Sequence, residues 1–153
     1  MNARPVTKGA CLYLVLAICL CVGCTSTLDK NLVNKAAAGD VDAMKTLIQK
    51  GADPNALAVD GWSALCIAAR EGHPQAVDLL LRSGAKIDAP EGGGNTALYW
   101  AAFYGHDEVI EHLLSKGANV NIKAKDGEAP LQAAERMGHE RAADLLRRAG
   151  ARD

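Results

Sequence analysis

The sequence predicts an all-α fold, a solenoid of four units in which two short helices are joined by a turn. Two observations lead to this fold class. Glycines and leucines recur every 33 residues from about residue 28 to the C-terminus, and the apolar residues between them have the spacing of short amphipathic helices. A third, the length of 153 residues, leaves room for one domain, residues 28–153, behind an N-terminal leader.

The chain begins with the pattern of an export signal. Arg4 and Lys8 precede an uncharged apolar run over residues 9–22. This run has the length of the apolar region of a secretory signal and is shorter than the roughly 20 residues that a membrane-spanning helix needs. We therefore expect residues 1–23 to be a signal peptide.

The apolar run ends in L-C-V-G-C, which places Gly23 immediately before Cys24. This ending resembles the lipobox of bacterial lipoproteins, although Cys21 stands where that family usually has leucine. The resemblance implies that Cys24 is lipidated and that residues 24–27 form the lipidated N-terminus and a short tether. Thr25 follows where aspartate would resemble an inner-membrane retention signal, so the resemblance implies a periplasm-facing membrane address, the outer membrane rather than the inner. A soluble periplasmic protein and an uncleaved anchor are the alternatives.

Four columns of residues repeat in one register. Two columns are glycines: Gly39, Gly72, Gly105 and Gly138, and Gly51, Gly84, Gly117 and Gly150. Two columns are leucines: Leu32, Leu65, Leu98 and Leu131, and Leu47, Leu80, Leu113 and Leu146. This register predicts four units, at about residues 28–57, 58–90, 91–123 and 124–153.

Each unit has the pattern of two short helices. In the second unit the first helix ends just before Gly72, because glycine adopts the left-handed conformation that stops a helix. The second helix is predicted at residues 75–83, where Val77, Leu80 and Leu81 fall on one face. Each unit therefore has an apolar face that only a neighbouring unit can cover.

The segments between units contain residues typical of turns. Asn119, Asn121, Asp126 and Gly127 lie between the third unit and the fourth, and they predict a short hairpin-like loop. The glycine run at residues 92–94 falls at the tip of the preceding loop. It lacks the lysine and the helix pattern of a phosphate-binding loop, and we interpret it as a turn.

Two segments resemble the ankyrin repeat: G-W-S-A-L-C-I-A-A-R-E-G-H at residues 61–73 and G-N-T-A-L-Y-W-A-A-F-Y-G-H at residues 94–106. The resemblance extends from about Leu28 to the end and implies an ankyrin-repeat solenoid of four helix-turn-helix units with short hairpin loops. The family's T-P-L-H sequence is replaced by S-A-L-C, T-A-L-Y and A-P-L-Q in the last three units. These departures remove turn hydrogen bonds and predict modest stability.

The two end units have features of caps. No loop pattern precedes the first unit, and the last unit stops just after its second helix. Arg147, Arg148 and Arg152 give that last helix the polar outer surface that a terminal repeat needs for solubility.

The charge gives no sign of a nucleic-acid partner. Arg4 and Lys8 lie in the leader, so 15 of the 17 basic residues belong to the rest of the chain. With all 18 acidic residues there as well, its formal charge is −3. Nucleic-acid binding needs a basic stripe that neutralises phosphates. We expect no nucleic-acid partner.

No pattern of catalytic or metal-binding residues stands out. His73, His106 and His139 recur every 33 residues, but the resemblance places successive copies about 10 Å apart, whereas zinc ligands converge at about 2.0 to 2.1 Å on one ion. We interpret these histidines as structural. Cys66 is the one cysteine outside the leader, and we expect its thiol to be a small buried apolar group. No metal, cofactor or catalytic activity is expected.

The ankyrin resemblance implies a protein-binding surface on the concave face, made of loop tips and first helices. The family's variable contact positions correspond here to Trp62, Arg70, Glu71, Asn95, Phe103, Tyr104, Glu128, Arg136 and Met137. Aromatic residues and arginine dominate binding hot spots, because they bury much area at a low cost in conformational entropy. The concentration of aromatic residues on one predicted face therefore favours a contact surface.

Two further aromatic residues lie beside these positions. Tyr99 stands where the family has histidine, and we include it among the contacts as a half-buried residue. Trp100 replaces a core leucine, and we expect it to pack inward. As an alternative to binding, several of these rings fill a wide gap between units that nearby alanines and glycines leave.

The sequence thus predicts a lipid-anchored, periplasm-facing ankyrin module that binds an unknown protein partner without catalysis and is otherwise monomeric. A short tether and a small domain resemble immunity lipoproteins that neutralise secreted toxins, including phospholipase effectors. A second resemblance is to periplasmic ankyrin proteins that support defence against oxidative stress. An enzyme or a metal-binding protein is the alternative of another class.

Overall fold

A computed structural model describes residues 27–58 and 60–152. Over these residues the chain forms eight α-helices: α1 (Thr27–Ala37), α2 (Val41–Gln49), α3 (Ala64–Arg70), α4 (Pro74–Arg82), α5 (Ala97–Tyr104), α6 (Asp107–Ser115), α7 (Pro130–Met137) and α8 (Glu140–Arg148). None of these described helices is long and apolar enough to cross a membrane. The predicted signal peptide and Cys24 lie outside the described residues.

The helices form two layers. The first helices of the units, α1, α3, α5 and α7, lie side by side, and the second helices, α2, α4, α6 and α8, form the other layer. Each first helix also contacts the second helix of its own unit. Four successive helix pairs of this kind confirm the predicted all-α fold of helix-turn-helix units.

Side-chain hydroxyls fix the starts of two first helices. Ser63 Oγ accepts a hydrogen bond from the backbone N–H of Cys66 at 3.1 Å, and Thr96 Oγ1 accepts one from that of Tyr99 at 3.3 Å. Each bond satisfies a donor that the first turn of a helix leaves free. Ala129, at the same position in the fourth unit, has no side-chain acceptor. The expected loss of turn hydrogen bonds therefore applies at this position to the fourth unit and not to the other two.

The second helix of the second unit begins one residue before its predicted start. Pro74 occupies its first position, because the fixed φ of proline suits the first turn and its missing N–H needs no partner there. Val77 and Leu80 are fully buried, while Leu81 is half-buried. The predicted apolar face is therefore the face that packs against the rest of the solenoid.

The leucine columns form the core. Leu32, Leu65, Leu98 and Leu131 are at most 2% exposed, and Leu80, Leu113 and Leu146 are fully buried. Leu47, the fourth member of the second column, is half-buried. The core is continuous through the stack, and in the first unit Leu32 and Met44 are its largest fully buried side chains.

The loops between the units are short and hairpin-like, as predicted. Two backbone hydrogen bonds of 2.7 to 2.9 Å close each one. The N–H of residue 58, 91 or 124 donates to the carbonyl of residue 62, 95 or 128, and the N–H of residue 61, 94 or 127 donates to the carbonyl of residue 58, 91 or 124. Leu57 and Ser63 form an isolated antiparallel bridge, and no longer strand occurs among the described residues. The glycine run at residues 92–94 lies at one loop tip, as expected.

A column of side-chain amides and carboxylates joins neighbouring units. Asn55 Oδ1 accepts a hydrogen bond from the backbone N–H of Lys86 at 2.8 Å, and Asp88 Oδ1 accepts one from Asn119 at 3.0 Å. Asn121 repeats this contact with the next segment at 3.0 Å. These bonds fix the distance between successive loops, because each ties a backbone donor of one unit to a side chain of the unit before it.

The last unit has the polar outer surface expected of a cap. Arg147, Arg148 and Arg152 are exposed. Arg147 pairs with Asp144 on its own helix and with Glu135 on α7, so one charged side chain both faces the solvent and holds the two helices of the unit together.

Candidate protein-binding face

The predicted contact residues lie together on one surface, which we call the inner face. It consists of the ends of the three loops and the last turns of α3, α5 and α7. Contacts between rings, guanidinium groups and carboxylates link all of its predicted members except Asn95. These members are Trp62, Arg70, Glu71, Tyr99, Phe103, Tyr104, Glu128, Arg136 and Met137.

Five aromatic rings form a continuous group at the centre of this face. We call it the aromatic cluster: Trp62, Tyr99, Trp100, Phe103 and Tyr104. The rings of Trp62 and Trp100 are 4.9 Å apart, and those of Trp100 and Phe103 are 5.8 Å apart. Phe103 and Tyr104 meet edge to face at 5.0 Å. Trp62 comes from a loop and the other four from α5, so the cluster joins the second unit to the third.

Two aromatic residues lie at depths that differ from the prediction. Tyr99 was expected to be a half-buried contact, but it is 6% exposed. Trp100 was expected in the core, but it is half-buried and touches four other rings. The following loop covers Tyr99, since Tyr99 Oη donates a hydrogen bond of 2.6 Å to Glu128 Oε2. Tyr104, predicted to face outward, is 46% exposed, and Phe103 is half-buried.

An ion pair holds Arg136 at one end of the aromatic cluster. Its Nε and Nη2 donate to the two carboxylate oxygens of Glu128 at 2.7 and 2.9 Å, and its guanidinium lies 5.2 Å from the centre of the Phe103 ring. The hydrogen bonds from Arg136 lower the pKa of Glu128, and Glu128 in turn raises the pKa of Arg136. Burial, and then the bond to Glu128, raise the pKa of Tyr99 to about 12. At neutral pH the side chain of Tyr99 is therefore a neutral phenol, and it donates to the carboxylate of Glu128, which is paired with Arg136.

A second arginine lies at the other end of the aromatic cluster. The guanidinium of Arg70 is 5.0 Å from the ring centre of Trp62. Two of its nitrogens donate to Glu71 Oε1 at 2.6 and 2.8 Å. Each end of the cluster thus has an arginine that is stacked on a ring and neutralised by a carboxylate.

Asn95, another predicted contact, has its amide hydrogen-bonded within its own loop. Asn95 Nδ2 donates to Glu91 Oε1 at 2.6 Å, and the other carboxylate oxygen accepts from the N–H of Gly93 at 2.6 Å. Glu91 is buried and was not singled out from the sequence. The sequence nevertheless marks this residue as unusual, because Glu91 stands where the neighbouring loops have Ala58 and Ala124.

The recurring histidines join successive units. His73 Nε2 lies 3.1 Å from the carbonyl of Ala37, and His106 Nε2 lies 2.8 Å from the carbonyl of Arg70. In both cases the ring nitrogen donates to the end of the preceding first helix, where carbonyls have no helical partner. His73 and His106 therefore have the expected structural role, since each precedes a second helix and binds the unit before it.

The thiol of Cys66 is fully buried, as expected. Burial raises the pKa of this thiol to about 11, so it stays protonated at neutral pH and is a poor nucleophile. No group of three or more histidine, cysteine, aspartate or glutamate side chains converges as a metal site among residues 27–58 and 60–152. Cys24, the predicted lipidation site, is outside this range.

Comparison with known proteins agrees with this architecture. A sequence model of the family "Ankyrin repeats (3 copies)" matches residues 32–124, which is more than half of the chain. No curated protein matches the sequence significantly. Proteins of this family are typically non-catalytic scaffolds for binding other proteins. The helix pairs, the tight loops and this match together show that the chain belongs to the ankyrin repeat family.

Proposed function

We propose that the protein is a lipid-anchored, periplasm-facing ankyrin module that binds one partner protein through its inner face, without catalysis of its own. The observation that supports this proposal is the aromatic cluster with an arginine stacked at each end. Apart from Tyr13 in the leader, these five rings are all the aromatic side chains of the chain. The family resemblance implies that this face carries the contacts with a partner.

The geometry of the face suits a binding hot spot. The rings and guanidinium groups are already held by one another and by Glu71 and Glu128, so little conformational entropy is lost when a partner covers them. Tyr104 and Met137 are exposed apolar side chains at the rim of the cluster. Rigid aromatic anchors of this kind account for most of the binding energy in many interfaces.

Affinity purification tests the proposal. The tagged full chain is used to capture proteins from its own cells, and captured proteins are identified by mass spectrometry and then titrated against the purified chain. The variant Phe103→Ala/Tyr104→Ala should weaken binding of the partner by at least ~100-fold. The control variant Glu108→Ala/Glu111→Ala removes two exposed side chains from α6, in the other layer of the same unit, and should bind as the wild type does.

Equal binding by both variants would show that the partner does not use the aromatic cluster. A loss of binding in the control as well would point to contact with the second helices. Melting curves of both variants are needed beside the titrations, because an unfolded variant loses binding for another reason.

The membrane anchor has its own experiment. In Cys24→Ser the thiol that would take the lipid is replaced, so the signal peptide should stay on the chain. The protein should then shift from the outer-membrane fraction to the inner-membrane fraction, where the uncleaved apolar run holds it. Unchanged fractionation and processing would contradict the anchor and leave the binding proposal intact.

The partner's identity decides between the two roles that the family resemblances suggest. A secreted toxin as the captured protein supports an immunity or inhibitor role, whereas a catalase or a similar enzyme supports a role in oxidative-stress defence. Stoichiometric metal in the purified protein, or a turnover that His106→Ala abolishes, would contradict a non-catalytic binding module. Since His106 bonds to the carbonyl of Arg70, we expect this substitution to affect stability instead.

A further inference from the structure

The charged groups of the inner face are already paired. Arg70 is bound to Glu71 and Arg136 is bound to Glu128, at distances of 2.6 to 2.9 Å. A partner with a strong charge of either sign would have to compete with these pairs, so phosphate and strongly acidic or basic segments gain little here. The favoured partner segment is electrically neutral.

One polar atom in the aromatic cluster has no partner. Trp100 Nε1 is buried, and no side chain or carbonyl among residues 27–58 and 60–152 accepts its hydrogen bond. It is the one buried side-chain nitrogen or oxygen in this part of the chain without a hydrogen bond. Because an unsatisfied buried donor costs free energy, an acceptor from a partner would be favoured at this point.

An acceptor can reach Trp100 Nε1 only if a neighbouring ring moves. Four rings touch Trp100, and Tyr104, stacked on it at a distance of 6.2 Å, is the exposed one among them. Exposed side chains change rotamer readily. Of the rings packed on Trp100, Tyr104 is therefore the one that moves aside most readily to admit an acceptor.

Few kinds of segment supply an apolar surface and free acceptors without adding unpaired donors. A helix has its carbonyls bonded internally, and a β-strand needs a sheet edge, which the described loops do not offer. A sugar adds many hydroxyl donors, whereas the carboxylates at this site are occupied by Arg70, Arg136 and Tyr99. A polyproline II segment has free carbonyls, no internal hydrogen bonds and, at its prolines, no N–H.

We propose that the aromatic cluster binds a proline-rich segment of the partner in the polyproline II conformation, with prolines on the rings and one carbonyl accepting from Trp100 Nε1. Aromatic grooves recognise this conformation because it is already extended and loses little entropy on binding. The inference rests on the proposed function, since it names the kind of segment that the inner face takes from its partner.

Nuclear magnetic resonance of the tryptophan indole groups tests whether the aromatic cluster binds a polyproline II segment. The chain has two tryptophans, so the full chain in detergent gives two indole N–H signals, which Trp62→Phe and Trp100→Phe assign. A blocked polyproline peptide of about ten residues, enough for about three turns of the helix, should move the Trp100 signal downfield as a hydrogen bond forms. A glycine-serine peptide of equal length should leave it in place.

Affinity for the polyproline peptide separates the hydrogen bond from ring stacking. Trp100→Phe keeps a ring and loses the donor, and it should bind about five- to tenfold more weakly, as expected for one hydrogen bond. Trp62→Phe makes the same change at a residue whose nitrogen is not a buried unpaired donor, and it should change the affinity by less than about threefold. If Trp100→Phe folds poorly, the shift of the Trp100 signal in the wild type decides alone.

The proposal is overturned if the polyproline peptide leaves the Trp100 signal unmoved at millimolar concentration, if the glycine-serine peptide moves it equally, or if both tryptophan variants bind equally well. None of these outcomes would contradict the proposed function. A partner that depends on Phe103 and Tyr104 would then bind through another kind of surface. Conversely, a captured protein whose binding does not depend on those two residues would refute the proposed function, whether or not the polyproline peptide binds.

Discussion

Gly105 and Gly138 end α5 and α7 in the same left-handed conformation but have different neighbours. Their φ angles are 69° and 76°. A Cβ atom on Gly105 would lie 2.6 Å from Nδ1 of His139 in the next unit, whereas a Cβ atom on Gly138 would meet nothing within 4 Å. Substitution by alanine therefore strains the backbone equally at both positions, and only Gly105→Ala adds a collision.

Backbone strain and the collision with His139 contribute separately to the cost of these substitutions. The left-handed conformation costs an alanine about 1 to 2 kcal/mol relative to glycine. Crowding the imidazole of His139, which opens α8, adds about 1 to 3 kcal/mol, as overpacking does elsewhere. We expect Gly138→Ala to lower the free energy of unfolding by ~1 to 2 kcal/mol and Gly105→Ala to lower it by ~2 to 5 kcal/mol.

Urea unfolding, followed by circular dichroism and by tryptophan fluorescence, measures both values. The two signals must coincide, because a terminal unit can unfold before the rest of a repeat protein. The variant His139→Ala supplies a double-mutant cycle with Gly105→Ala, since removal of the ring should relieve the collision and leave the backbone strain. Equal costs for the two glycines, or a cycle without coupling, would refute the reasoning.

Other parts of the structure make further predictions. Leu113 is fully buried and Leu57 is 45% exposed, so Leu113→Ala should cost ~2 to 5 kcal/mol in the free energy of unfolding and Leu57→Ala less than ~1 kcal/mol; similar urea midpoints would contradict the stacking of the leucine columns. The pKa of Tyr99 is raised from 10.0 to about 12, so its neutral form stabilises the fold below pH 10, and this contribution is lost as the pH rises towards 12. Urea midpoints of the wild type should therefore fall more steeply over this range than those of Tyr99→Phe, and parallel curves would show that burial of Tyr99 does not matter.

The fold could be predicted from the sequence because its causes repeat. A glycine ends each helix, a leucine fills each layer, and the spacing of 33 residues puts equivalent groups at equivalent places. The second helix of the second unit was placed to within one residue for the same reason. The predicted anchor at Cys24 depends on the leader alone and stays a prediction.

The depth of individual side chains on the inner face could not be predicted, because partners distant in the chain decide it. Tyr99 is buried by a hydrogen bond to Glu128, 29 residues later, whereas Trp100, the next residue, turns towards Trp62. Local periodicity places both residues on neighbouring positions of α5 and does not distinguish them. Asn95 was assigned to the contacts by position, yet Glu91 in its own loop engages its amide.

Comparison of the units with one another separates folding from binding. The core columns hold the same residue in every unit, but the positions of Phe103 and Tyr104 are occupied by Ala37 and Ala38 in the first unit and by an arginine and a glutamate in the second. A helix pair of this fold thus forms with alanine at both positions. Phe103→Ala/Tyr104→Ala should lose only the contacts with the neighbouring rings and with the stacked guanidinium, about 1 to 3 kcal/mol in total. A loss above ~4 kcal/mol, as for an emptied core, would mean that the rings fill a gap between units and that the aromatic cluster exists for the fold and not for a partner.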